Sequence, residues 1–579
     1  MYLHTIDWII LVFYLVLTII LGLIFSKKGT QSIQEFFVSG RSLPWWLAGT
    51  TMIASAFAID TPIGIAGMVA NYGIPGVWYA WSFVLGGAGM LGAFVFSAML
   101  RRSEILSPAE IAELRYDGKP AAVLRGFKGV YFGILVNAWT LGWILKAVLT
   151  LSKAVIPQAN PYAVLGIILV FTLAYTAASG LWGIAATDLI QFFIGTIGSL
   201  TLAIFAWRHV GGVEQIVKGL CTRYGDVECA QRLSFFPSVA SPFFATFAVF
   251  ITLKWWGNPP PAILQRIIAS KDEQHASKAT FLFAVVAFGF NYWPMIFVAL
   301  AALVAYPELT AAQAGTGVGY ARLIVEIMPT GILGLMLASL IAAFMSTVDT
   351  HINYGASYMV NDLYKRFVAK NASKKHYVRA SQVSTMLMLL IAVGIAMIQE
   401  SVAGAWLTLS MMTAGYGVIM VLRWFWWRIN AWSELSALTI AAAGSLVMYV
   451  TPLKEMKWAW RFLFVFSASL LSSMIITFFT RPTSREHLAG FCKKVKPFPQ
   501  LWGPIAKAHP EIEWNPHLVR VVLQWTLGTI ALFCFCFGLG HYMFLRFMQG
   551  TILLICSTGI TLYLFSNKKK YDTADKGGD

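Results

Sequence analysis

Long apolar runs separated by short polar loops dominate the chain from residue 5 onward. A bilayer core takes about 20 apolar helical residues to cross. By that measure the runs predict about fifteen spans: 5–26, 46–72, 76–99, 128–150, 161–178, 181–207, 241–265, 279–305, 330–361, 382–399, 402–427, 431–450, 459–480, 519–541 and 547–566. Lipid cannot satisfy exposed backbone N–H and C=O groups, so runs of this length are helices. The expected fold is therefore an all-α polytopic membrane protein. Two runs are interrupted. The second carries Ala-Ile-Asp-Thr-Pro-Ile-Gly at its centre (58–64), and the seventh, five spans later, carries Trp-Gly-Asn-Pro-Pro-Pro (256–261). Paired Gly/Pro interruptions at matching places point to an inverted repeat with a site at the bilayer midplane. Five is an odd number of spans, so the two halves run in opposite orientations.

Composition agrees with the pattern. The chain is 58% hydrophobic and 12% charged, against about 25% charged in soluble domains. The net charge of +17 is explained by topology, without nucleic acid as a partner. With the N-terminus outside, only ten of the 43 Lys and Arg residues fall in outward loops, and clusters such as Lys365-Arg366, Lys493-Lys494 and Lys568-Lys569-Lys570 face in. That is the positive-inside asymmetry, and the clusters are placed to meet lipid headgroups. The reading puts the chain in a cell membrane, a bacterial inner membrane, with the C-terminus cytoplasmic. The N-terminal apolar run has no basic region before it and no cleavage site after it, so it reads as a first span. Cys221 and Cys229 share one outward loop and are candidates for a disulfide. The organisation expected is a first peripheral span and loop (1–44), a transport core (45–430), peripheral spans (431–480), a basic cytoplasmic loop (481–518), and two extra spans with a basic tail (519–579).

Charges inside a bilayer are expensive and mark function. Asp60, Asp188 and Asp349 stand out. Asp60 sits in the first interruption. Around Asp349, the residues Ala343, Ser346, Thr347 and Thr350 fall at i, i+3, i+4 and i+7, one stripe of a helix. A small residue permits close approach and three hydroxyls supply oxygen. A lone hydroxyl in a span usually bonds back to its own helix; three on one stripe beside a carboxylate point to more. Hard cations want oxygen ligands, and the unwound backbone near Ala54–Phe57 offers carbonyls. A small-cation site between the two spans is the expectation.

At these residues the chain resembles the sodium:solute symporter family, which includes sodium-coupled sugar, proline, sialic acid and iodide carriers. The matching stretches are Phe36-Phe37-Val38-Ser39-Gly40-Arg41, Gly64-Ile65-Ala66-Gly67, Gly180 through Gln191 with Thr187-Asp188, Gln265-Arg266, and Ala342 through Thr350. They span about residues 1–450. The resemblance implies a leucine-transporter-like fold, with spans two to eleven as the five-plus-five repeat and the other helices peripheral. It implies a sodium site of Ala54, Phe57 and Ala343 carbonyls with Ser346 and Thr347 hydroxyls. A second cation site, present in some members, falls on Asp188, Asp349 and Thr350. The sialic acid branch has serine where Asp349 stands, so this chain carries an extra charge there, suited to a second sodium ion or to a proton.

The sugar carriers place Gln and Asn in the two interruptions, where this chain has Thr61 and Pro260; that argues against a sugar. Substrate contacts are expected from Asp60, Thr61, Lys254, Trp256 and Asn258, with Asp60 suited to an amine and Lys254 to a carboxylate. The implied function is inward symport of a small solute with sodium by alternating access, with sodium as coupling ion and no other cofactor. Rival readings are a proton-coupled carrier, a transporter-like sensor, a passive channel and a membrane enzyme. The chain carries no HExxH, P-loop or G-x-S-x-G motif, and its largest inward segment is small for a signalling domain. The solute, the ion number and the choice between monomer and homo-oligomer stay open.

Overall fold

The computed structural model describes residues 3–29, 38–105, 108–176, 181–257 and 259–574. The helices that frame the site are α1 (Thr5–Gly29), α2 (Trp45–Ala56), α3 (Asp60–Tyr72), α4 (Asn137–Val155), α5 (Leu181–Val210), α6 (Phe244–Val249), α7 (Pro261–Ala269), α8 (Tyr292–Ala305), α9 (Ile332–Ser357), α10 (Val402–Met412), α11 (Tyr416–Phe425), α12 (Ala431–Val450), α13 (Leu518–Met543) and α14 (Phe547–Ala574). Among the described residues, nine unbroken helices are long and apolar enough to cross a membrane, and two bent pairs bring the number to eleven. The other expected spans are shorter or assembled from pieces. Pro161–Thr172 and Phe244–Lys254 are short apolar helices, and the 76–99 run is divided among short helical pieces between Ile74 and Ser103.

Both expected interruptions break their helices, for identifiable reasons. Between α2 and α3 the axis turns by 56°. Pro62 lies in the first turn of α3, where its missing N–H costs nothing. At the second interruption the helix that begins at Phe244 ends at Lys254, and α7 starts at Pro261. Three consecutive prolines, 259 to 261, have no N–H to continue the ladder. Four further membrane segments follow the first break up to Val210, and four follow the second up to Phe425. This is the five-plus-five order. A third break was not foreseen. α10 and α11 bend by 50° at Gly415, whose φ of 75° suits glycine. A Cβ there would stand 2.7 Å from the Phe466 carbonyl and 2.8 Å from Ser469.

The peripheral parts grip this core at named points. The Asp7 carboxylate, fully buried on α1, accepts from Gly331 N (2.7 Å) and Gly334 N (2.9 Å), capping α9 from outside its own chain segment. α13 docks through indole donors: Trp525 to the Leu85 carbonyl at 2.8 Å, and Trp293 of α8 to the Cys536 carbonyl at 2.7 Å. The basic 481–517 segment is seated by Trp502, fully buried, which donates to the Trp424 carbonyl at the end of α11. Beneath α11 a buried carboxylate, Glu434, accepts from Lys128, Arg423, Tyr116 and Tyr416. Cys221 and Cys229 form a disulfide. Its loop is anchored by Arg223 to the carbonyls of Leu303, Tyr306 and Leu309, and by Arg232 to that of Ala70.

Candidate functional site

The first break takes carbonyls out of the helical ladder. Phe57 N still bonds the Ile53 carbonyl, but Ala58 N turns to the Thr61 hydroxyl at 3.3 Å and Thr61 N to the Ala58 carbonyl at 3.1 Å. The Thr61 hydroxyl in turn donates to the Ala56 carbonyl at 2.9 Å. The Ala54 and Phe57 carbonyls therefore fall out of the helical ladder. Both residues are buried. Thr61, expected as a substrate contact, has its hydroxyl committed to holding the break open.

Three helices converge here. On α5, Gly195 is the point of approach: a Cβ would stand 2.6 Å from the Phe57 ring and 3.2 Å from the Ser339 hydroxyl of α9. One turn earlier, Gln191 donates to the Ala342 carbonyl at 3.2 Å. On α9 the Thr347 hydroxyl, buried, donates to the Ala343 carbonyl at 2.7 Å. This is the ordinary back-bond of a helical threonine, and it leaves lone pairs of the Thr347 hydroxyl oxygen available to an ion. The side chains of Ser346 and Asp349 lie outside the described residues, and Thr350 is half-buried.

Asp188 is fully buried and forms an ion pair with Arg266 of α7 at 3.7 Å. Its charge is thus met by a guanidinium from the second broken helix. Lys254 is likewise committed. Its ammonium donates to the Tyr79 carbonyl and stands 3.6 Å from the Tyr79 ring centre and 3.5 Å from that of Phe83. Trp256 stacks on Trp255 with ring centres 4.2 Å apart, and its indole donates back to the Thr252 carbonyl. Asn258 lies outside the described residues.

Asp60, the first residue of α3, is 7% exposed. Its carboxyl faces the side chains of Trp143 on α4 and Trp406 on α10. Trp406 in turn stacks on Tyr79 at 5.4 Å, and the Tyr79 hydroxyl donates to the Trp406 carbonyl at 3.0 Å. A column of Lys254, Tyr79, Trp406 and Asp60 thereby joins the two breaks. The third break adjoins the second, since a Cβ at Gly417 would stand 2.0 Å from the Trp256 carbonyl. Beside Thr61 lies a small pocket lined by Ile53, Ala56, Phe57, Thr61, Ala287, Asn291, Tyr292 and Met295. Sequence reasoning missed Asn291, Trp143 and Trp406. The signal for Asn291 was present: an amide in the middle of the apolar run Phe288–Met295.

An all-helical membrane protein with two matched broken helices defines a class of secondary transporter folds. The comparisons agree. The sodium:solute symporter family model matches residues 36–440, and the chain belongs to that family. "Solute carrier family 5 member 4B" of Mus musculus is 23% identical over 546 residues, covering 84% of this chain and 81% of that protein. "Sodium/myo-inositol cotransporter 2" of Homo sapiens is 24% identical, covering 84% and 79%. Among solved structures, a substrate-bound, outward-open sodium-coupled sialic acid symporter superposes with a TM-score of 0.65 at 20% identity, covering 83% of this chain and 99% of that one. It supports the fold.

Proposed function

We propose that this chain is a sodium:solute symporter that moves a small, non-sugar solute inward with sodium by alternating access. What supports this is that the first break frees the Ala54 and Phe57 carbonyls on a segment that packs beside α9, the helix that carries Ala343 and Thr347. α5 brings the two helices together at Gly195. Sodium there ties the broken α2–α3 span to α9, and solute occupies the pocket beside Thr61, with Asn291 and Tyr292 on its far wall. Ser346 completes the sodium site. A second cation at Asp349 and Thr350 would compete with Arg266 for Asp188.

Coupling needs only that ion and solute favour the same conformations, because linkage is reciprocal. The membrane potential supplies roughly 2.3 kcal/mol per charge per 100 mV. The proposed orientation, N-terminus outside and C-terminus cytoplasmic, puts the Cys221–Cys229 disulfide on the oxidising side, where disulfides persist. A thermal-unfolding titration of the purified chain with sodium against potassium tests the reading. Sodium alone is expected to raise the midpoint, since a ligand of the folded state stabilises it, and Thr347→Val to abolish the difference between the ions. Equal responses to both cations in the parent chain refute it.

A further inference from the structure

Resting on the symport reading above, we propose that the solute carries an amine, and that Asp60 receives its ammonium group between the indoles of Trp143 and Trp406. Asp60 is 93% removed from solvent by its 7% exposure, and among the described residues no Lys, Arg or His forms an ion pair with it. Burying a carboxylate without a cation is costly. Its place at the start of α3 offsets part of that cost, because a helix N-terminus carries about half a positive charge. The Trp143 and Trp406 side chains, which face the carboxyl as donors, offset more, but all of these groups are neutral, and the unpaired negative charge calls for a cationic partner from outside the chain.

The surroundings say what kind of partner. Trp143 and Trp406 face the carboxyl, and both rings are buried. Tyr79 and Tyr292 lie within electrostatic reach of it, and Tyr292 also lines the pocket beside Thr61. One carboxylate among aromatic faces is a poor site for a bare metal cation, which wants several oxygens. It is a good one for an ammonium, whose N–H groups meet the carboxylate and whose carbon substituents lie against rings. A carboxylate solute would be repelled, and a sugar would find few free donors and acceptors. Lys254 does not supply the missing charge: it is held on the side of Tyr79 by that residue's carbonyl and by the Tyr79 and Phe83 rings. Trp406 is seated over this corner by Gly64, where a Cβ would stand 2.3 Å from the indole.

The test uses the purified full-length chain, thermally unfolded in sodium and in potassium with ethanolamine, propionate and glucose as probes. In sodium, ethanolamine is expected to raise the unfolding midpoint, and propionate and glucose to leave it unchanged. Asp60→Asn is expected to weaken the ethanolamine response about ten- to a hundredfold, the range of a charged hydrogen bond, while stabilisation by sodium alone survives. A second readout needs no variant: raising the pH until ethanolamine loses its proton must remove its effect. The inference is overturned by a response to propionate or glucose instead, by an unprotonated amine acting as well as the protonated one, by an undiminished response in D60N, or by no amine response in the parent chain. Failure of the symport reading looks different, because sodium alone then stabilises no more than potassium.

Discussion

Gly64→Ala tests whether the aromatic column is as closely fitted as its contacts imply. The added Cβ would stand 2.3, 2.6 and 2.7 Å from three ring atoms of Trp406, well inside contact distance. The ring has little room to retreat. It stacks on Tyr79 with planes 9° apart, and Tyr79 is backed by the Lys254 ammonium, itself held against Phe83. Overpacking a fitted core costs about 1–3 kcal/mol, and the displaced indole would also disturb the setting of Asp60. The expected result is a lower unfolding midpoint together with a weaker solute response at unchanged sodium response. Rescue distinguishes this from general damage. Trp406→Leu removes the clashing ring, at a cost of its own, and G64A added to it should then cost almost nothing. The coupling between the two sites should fall in the range of about 0.5–3 kcal/mol found for residues in contact. If the two losses simply add, the close fit of Gly64 to Trp406 is refuted.

Two further outcomes follow from buried ion pairs and a third from the disulfide. Arg266→Met leaves Asp188 buried without its guanidinium and is expected to destabilise by about 3–5 kcal/mol, with the companion Asp188→Leu recovering most of it in the same unfolding assay. Glu434→Gln leaves Lys128 and Arg423 without their counter-charge and should cost a similar 3–5 kcal/mol; an unchanged midpoint would show that the cluster is not closed to water. Reducing Cys221–Cys229, which closes a loop of 8 residues, or replacing both by Ser, should lower the midpoint by an amount corresponding to about 2–3 kcal/mol, and proteolysis should then cut first between α5 and α6.

How far the site could be read from sequence depended on the kind of interaction. Proline and glycine act locally, so Pro62 and the 259–261 run announced their breaks without any knowledge of packing. The third break gave no such notice. Gly415 has no proline beside it, and what bends the chain there is the approach of Phe466 and Ser469 from another helix. Residues on one helix, such as Ala343 and Thr347, can be set on one stripe from their spacing alone. Which helices meet is not written in that spacing. Lys254 looked like a free cation in an apolar run, yet its partners are a carbonyl and two rings some 170 residues earlier in the chain. Thr61 stands in the break and lines the pocket beside it, but the bonding of its hydroxyl to the backbone of that break depends on the bent geometry. Asp188, read as a cation ligand, is engaged by Arg266, a residue of the matched stretch at Gln265-Arg266 that had carried no chemical role.

That last pairing bears on how the two halves move together. α7 is the second half of the second broken helix, and at its end the chain pairs with the start of the first: Leu43 N bonds the Ala269 carbonyl at 3.1 Å and Lys271 N the Leu43 carbonyl at 2.9 Å. Arg101 reinforces the join through the Ser270 and Lys271 carbonyls, and Arg41 bonds the Glu104 carbonyl beside it. The two half-helices are thus laced by backbone at one mouth, while Arg266 ties α7 to α5 deeper in the bundle. Opening that mouth requires both α2 and α7 to part company, so strain at either is felt by the other. On the proposed function, an ion held between α2 and α9 would be one such influence, and a cation bound at Asp60, four residues beyond Ala56, a second on the same element. Both would act on the break between α2 and α3, which would make that break, rather than either binding site alone, the place where ion and solute are coupled.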